Sequence, residues 1–138
     1  MIRPYIIVTN DDTTYLDMIR EFLQDEGYPE VDCVLGPQAY QLIKRKRPDL
    51  VLLDIHIGQH DSGWRLLDFI RLDPQTTDIP VIICSTDPRL PREKGDWLRR
   101  QRCYFLEKPF QIVNLTSMIA EIVGPPPRLL EQGHDQRS

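Results

Sequence analysis

Four consecutive apolar residues, Leu50-Val51-Leu52-Leu53, run directly into a carboxylate, Asp54, and this stretch limits the folds open to the chain more than any other. A short apolar run bounded by turn signals, here Pro48-Asp49 on one side, reads as a strand buried on both faces of a parallel sheet. Such a strand can end in a charge only where it surfaces. In open α/β sheets the carboxyl ends of the strands form the crevice where ligands bind. A lone Asp there is more often a turn former or a helix cap, so the case for Asp54 rests on what else reaches the same edge.

The rest of the chain alternates strand-like and helix-like stretches. Tyr5–Thr9 is β-branched and apolar, a first buried strand ended by Asn10-Asp11-Asp12. A helix is expected from about Thr14 to Glu26, with Asp12 or Thr13 as N-cap and Gly27 as stop. Tyr15, Ile19, Phe22 and Leu23 form its apolar stripe. Val31–Leu35 reads as a second strand near an edge, and Gly36-Pro37 opens a helix that carries Leu42 and Ile43 inward. Lys44-Arg45-Lys46-Arg47 at its end complement the helix dipole. After Leu50–Asp54 comes a loop, Ile55 to Gly63, then a helix capped by Ser62 with Trp64, Leu67, Phe69, Ile70 and Leu72 as apolar positions. Asp73-Pro74 breaks it.

Pro80 introduces a fourth strand, Val81–Cys84. Pro88, Pro91 and Gly95 interrupt the next segment, leaving Lys94 to Gln101 as the only stretch expected to be helical. Tyr104–Leu106 is a brief fifth strand. A last helix, about Gln111 to Ile122, presents Ile112, Leu115, Ile119 and Ile122 and stops at Gly124-Pro125-Pro126-Pro127. Residues 1–123 read as one domain, and the Pro-rich, polar residues 124–138 as a mobile tail.

Strands alternating with helices imply right-handed βαβ units, so the expected architecture is a doubly wound, five-stranded parallel sheet with helices on both faces. Strands one, three, four and five then end at one edge in Asn10 with Asp11 and Asp12, in Asp54, in Ser85 and in Lys108. Carboxylates converging there repel each other unless a cation shares the space. A hard cation such as Mg²⁺ binds through one or two carboxylates and reaches phosphate oxygens. Lys108 adds a point charge and Ser85 a hydroxyl, and an Asp can attack phosphorus to give an aspartyl phosphate. No Gly-rich phosphate loop offers a nucleotide a cradle. The chemistry points to a phosphoryl group carried on Asp54.

Composition narrows the alternatives. Seventeen basic against 21 acidic residues give a mildly acidic chain, which argues against a non-specific nucleic-acid binder. No apolar run approaches the length of a membrane span, and Met1-Ile2-Arg3-Pro4 lacks a signal-peptide core. Cys33, Cys84 and Cys103 form no CxxC pair and read as free thiols in a reducing cytoplasm. His56, His60 and Asp61 lack a third ligand at a recognised metal spacing. Arg99-Arg100-Gln101-Arg102 reads as a solvated face, and Trp97 beside it either packs on the sheet or marks an interface.

From Tyr5 to Val123 the chain resembles the receiver domains of two-component response regulators. Asn10-Asp11, Pro48–Asp54, Asp61-Ser62-Gly63, Pro80–Ser85 and Leu106-Glu107-Lys108-Pro109-Phe110 carry the resemblance through their order and spacing. It implies the flavodoxin-like strand order 2-1-3-4-5. It implies Asp54 as phosphoacceptor, served by a sensor histidine kinase or phosphotransfer protein. Mg²⁺ would be bound by Asp11, Asp54 and the backbone carbonyl of His56. Ser85 and Lys108 would contact the phosphoryl group, and Phe105 would stand where the family has an aromatic that turns inward on activation. The resulting shift would change a surface read by a downstream protein or a second copy of the chain, with no nucleic acid and no membrane involved.

Departures from the family pattern are also expected to matter. Asn10 replaces the first acidic residue, with Asp12 a substitute only if the turn slips by one. The loop containing Gly58 is one residue longer than the common pattern. Thr86 stands in place of a small Ala, and Phe105 lacks the hydroxyl of the more familiar Tyr. Asn10 and the broken fourth helix favour, as an alternative, a pseudo-receiver that binds a partner regardless of phosphorylation. A small phosphatase using Asp54 as nucleophile ranks last, because His56 stands where it would need an acid.

Overall fold

A computed structural model describes residues 3–55 and 62–126. Within them five strands alternate with five helices: β1 (Tyr5–Asn10), α1 (Thr13–Asp25), β2 (Glu30–Leu35), α2 (Gly36–Lys46), β3 (Leu50–Asp54), α3 (Ser62–Leu72), β4 (Val81–Ser85), α4 (Leu90–Arg100), β5 (Cys103–Glu107) and α5 (Ile112–Val123). All four strand pairings are parallel, in the order β2-β1-β3-β4-β5. This is the flavodoxin-like arrangement expected, with β2 at an edge. The chain reverses its winding between β1 and β3, so the crevice of such a sheet opens beside Asn10 and Asp54. No helix among the described residues is long and apolar enough to cross a membrane.

The two-residue period of the strands sorts the core into two layers. Val51 and Leu53, with Ile7, Val81 and Ile83, face Ile43 of α2, Leu67 and Ile70 of α3 and Leu98 of α4. Leu50 and Leu52, with Ile6, Val8 and Ile82, face Leu16, Ile19 and Leu23 of α1 and Leu115 and Ile119 of α5. Burying each such side chain fully contributes about 1.5–3 kcal/mol. The unbroken apolar run of β3 is thus the signature of a strand covered on both faces.

Three expectations need correction. The fourth helix is not confined to Lys94 to Gln101 but runs over Leu90–Arg100. Pro91 lies in its first turn, where the missing N–H has no helical partner to lose. Gly95 costs about 1 kcal/mol relative to Ala, and burial of Leu90 and Leu98 offsets it. On α3 the buried positions are Leu66, Leu67 and Ile70, whereas Phe69 and Leu72 are exposed, Leu72 by 79%. On α1 the stripe is Leu16, Ile19 and Leu23, and Phe22 points outward. Trp97 is half-buried against the α2–α4 layer beside Trp64, with Lys94 over both rings. Cys84 and Cys103 are buried and Cys33 half-buried, all as free thiols.

Arg71 at the end of α3 forms a clasp that the sequence does not advertise. Its Nε donates to Gln101 O at 2.5 Å, Nη1 to Ile79 O at 2.8 Å and Thr77 O at 3.2 Å, and Nη2 to Arg102 O at 3.2 Å. One guanidinium therefore satisfies four carbonyls that lead into β4 and β5. Arg71→Met should destabilise the fold by about 2–3 kcal/mol, because those carbonyls lose a charged donor. Urea titration would show this as a lower midpoint at unchanged slope.

Asp73 ties α2 to α3: the Tyr40 hydroxyl donates to its Oδ2 at 2.6 Å and Lys44 lies 3.2 Å from the same oxygen. The Tyr40 hydrogen bond, then the Gln75 N–H, hold the Asp73 carboxyl down at about 2, below the ordinary 3.8. A folded value below the unfolded one adds stability above 3.8 that disappears as pH falls through about 2. Asp73→Asn should lower the urea midpoint at neutral pH, with the gap to wild type closing on acidification toward that value.

Candidate functional site

The carboxylate of Asp54 emerges where β3 ends, with a side chain only 4% exposed. A buried carboxylate is costly unless paired and hydrogen-bonded. Two neighbouring strands supply the partners. Asn10 at the end of β1 donates from Nδ2 to Asp54 Oδ2 at 2.5 Å. Lys108, just beyond β5, donates from Nζ to the same oxygen in an ion pair. The backbone sets the reach of both. Lys108 N donates to Ser85 O at 2.8 Å and Ile55 N to Cys84 O at 2.9 Å, locking the ends of β3, β4 and β5 together.

Asn10 is fixed in orientation as well as position. Its Oδ1 accepts from Asp11 N at 2.6 Å and Asp12 N at 3.1 Å, so its amide nitrogen must face Asp54. Where the sequence shows a lost charge, the structure shows a neutral donor. Asp12 is the N-cap of α1, accepting from Thr14 N at 2.9 Å and Tyr15 N at 3.4 Å. Its Oδ1 is therefore engaged by the helix. Asp11 is exposed, and its Oδ1 lies 2.9 Å from where a Cβ on Gly36 would stand, so a larger residue there would displace its carboxylate. Gly63 plays the same part for α3, since a Cβ would come within 2.8 Å of Ile55 Cγ1.

Ser85 is buried, and its Oγ accepts from Asp87 N at 3.1 Å, which leaves the hydroxyl proton to be donated. Thr86 is exposed beside the site, and Phe105 is half-buried against the α2–α4 layer. His56, with His60 and Asp61, lies outside the described residues. Burial, reinforced by Asp54, pushes the Cys84 thiol up to about 12, so it stays protonated behind the site.

Tyr15 belongs to this site, although its sequence position reads only as part of an apolar stripe. Lys108 Nζ stands 4.8 Å from its ring centroid. The signal available was its place in the first turn of α1, directly after Asp11 and Asp12. From there a groove of about 380 Å³ runs outward between α1 and the start of α5. Met18, Phe22, Thr86, Lys108, Phe110 and Ile112 are among the residues that line it.

Among the described residues no three His, Cys, Asp or Glu side chains gather as a metal cluster. That excludes a dedicated all-protein metal cage within those residues. An ion such as Mg²⁺ needs only one or two carboxylates and keeps several waters, so it requires no such cluster. Asp11 follows β1 and Asp54 ends β3, two neighbouring strands of this edge.

The model of the response regulator receiver domain family matches residues 6–120. The chain is 29% identical over 113 residues to the two-component response regulator ARR11 of Arabidopsis thaliana, which covers 80% of the chain but 20% of that protein. It is 25% identical over 122 residues to the polar-differentiation response regulator DivK of Brucella anthropi, covering 86% of the chain and 95% of DivK. The receiver domain of the sensor histidine kinase PA1611 from Pseudomonas aeruginosa PAO1, solved with magnesium in its active-site cleft, has a similar fold. Its TM-score is 0.67 at 19% identity, over 88% of this chain and 98% of that one. The chain thus spans about a fifth of ARR11 and nearly all of DivK. With the sheet order, the Asp54–Lys108 pair and a family match over most of its length, the chain belongs to the response regulator receiver domains of two-component signalling.

Proposed function

We propose that the chain is a phosphoacceptor, carrying a phosphoryl group on Asp54 and altering a protein-binding surface in response. The observation that carries this reading is a buried carboxylate paired with a lysine ammonium, Lys108, beside a buried serine hydroxyl, Ser85. The donor is a phosphohistidine on a sensor kinase or phosphotransfer protein. An Asp54 oxygen forms the new P–O bond as the P–N bond breaks, and the bonding electron pair leaves with the imidazole nitrogen. Lys108 exchanges its carboxylate partner for a phosphoryl oxygen, and Ser85 donates its hydroxyl proton to another. Asp11, Asp54 and the carbonyl of His56 would hold Mg²⁺, which when bound supplies positive charge for the phosphoryl oxygens.

Direct transfer requires the donor to sit against Asp54. The groove between α1 and α5 supports docking there: Lys108 lines it, and it exposes Met18 and Phe22, each by 42%. An apolar helix bearing the phosphohistidine matches such a surface. The phosphoryl group brings about −1.5 to −2 charges. Drawing Ser85 and Lys108 toward them shifts the ends of β4 and β5 and the helices attached, and a downstream protein reads that shift. The Asp54–Lys108 ion pair within this site favours the phosphoacceptor over a partner-binding module indifferent to phosphorylation, as does the buried Ser85 hydroxyl beside it, a group able to donate to a phosphoryl oxygen.

Intact-mass analysis after incubation with Mg²⁺ and acetyl phosphate should show one added phosphoryl group in wild type and none in Asp54→Asn. Labelling that persists in the variant would move the acceptor elsewhere, and an unlabelled wild type would favour phosphorylation-independent binding. Asn10→Asp exchanges a donor for a second carboxylate facing Asp54. It should tighten Mg²⁺ binding roughly tenfold and cost about 1–2 kcal/mol of stability without the metal. Melting temperatures across a Mg²⁺ titration measure both effects.

A further inference from the structure

We propose that Tyr15 is a positioning residue, the face of its ring holding the Lys108 ammonium at Asp54; this role in phosphoryl transfer rests on the phosphoacceptor reading above. The Lys108 Nζ stands 4.8 Å from the ring centroid, inside the roughly 6 Å over which a ring face attracts a cation. The lysine side chain is only 17% exposed, so the attraction is little screened. Lysine carries its charge on a flexible four-carbon stem. Here the open groove beside it offers that stem a way out to solvent, and Tyr15 stands with Thr86 at its wall.

Tyr15 itself is rigidly placed. It lies in the first turn of α1, and its N–H is within reach of the Asp12 cap. Its hydroxyl is buried and has no hydrogen-bond partner among the described residues, so no hydrogen bond there accounts for its place. Burial, with Cys84 and Asp54 nearby, also pushes the phenol well above its ordinary range, which keeps it neutral and rules it out as a base. What remains is the aromatic face. When Asp54 is phosphorylated, that face keeps the ammonium beside the incoming oxygens while its partner changes from carboxylate to phosphoryl group.

The test compares wild type with Tyr15→Phe, Tyr15→Leu, Lys108→Ala and Tyr15→Leu/Lys108→Ala. Phosphorylation rates are followed with acetyl phosphate and Mg²⁺, alongside thermal melting. Tyr15→Phe should retain the wild-type rate within about twofold, and Tyr15→Leu should be slower by about three- to tenfold, the range of a desolvated cation–ring contact. In the Lys108→Ala background the leucine should cost nothing further, because Tyr15 acts through Lys108. A wild-type rate in Tyr15→Leu, an equal further loss in the double variant, or a slow Tyr15→Phe would each overturn the proposal.

A second measurement does not depend on labelling. In spectra of ¹³C-lysine protein the Lys108 Hε resonances should lie upfield through the ring current and return to ordinary positions in Tyr15→Leu. Ordinary Lys108 shifts in the wild type would refute the contact itself. Upfield shifts in a wild type that takes no phosphoryl group would instead keep the contact and defeat the phosphoacceptor reading.

Discussion

A carboxylate that is 4% exposed must be neutralised, and the way Asp54 is neutralised organises the whole carboxyl edge of the sheet. Removing one member of a buried ion pair commonly costs about 3–5 kcal/mol, since the other charge is left stranded. The Asp54–Lys108 pair therefore closes the sheet across β4, joining strands that are not neighbours. Asn10 adds β1, so the ends of three strands converge on one oxygen. On the proposed phosphoacceptor reading, the same pair would make the edge responsive. A partner held by charge can be exchanged for one carrying more charge, while a partner held by packing could not be.

The fold was largely legible from the strands. The runs Tyr5–Thr9, Leu50–Leu53 and Val81–Cys84 are apolar without alternation, and only a sheet covered on both faces accounts for that. Helical faces were less legible. Phe69 and Leu72 are apolar yet exposed, because a spacing rule cannot say which of two adjacent stripes meets the sheet. α4 was misjudged for a different reason. Pro91 and Gly95 read as breakers by type, yet a proline in the first turn loses no helical bond and one internal glycine is affordable where Leu90 and Leu98 are buried.

The site divided in the same way. The places of Asp54, Ser85 and Lys108 were readable because each ends or directly follows a strand, and strand ends have a predictable place. The meaning of Asn10 was not, since composition records a missing charge and not the direction of an amide. That direction comes from two backbone N–H groups, Asp11 and Asp12, which exist only once the chain has turned into α1. Tyr15 was hidden because its relation to Lys108 spans the first and last thirds of the chain. No local pattern reports such a distance.

The clasp at Arg71 grips the other end of the sheet. It binds carbonyls just before β4 and around the turn into β5, at the amino ends of the two strands whose carboxyl ends carry Ser85 and lead to Lys108. Strands pinned at one end cannot slide as units when the other end is pulled. Any displacement at the carboxyl edge must become a tilt about the guanidinium. Arg71 is in this sense a fulcrum for the proposed switch, in which short movements at the site would be delivered as rotations of the helices that lie between the two ends.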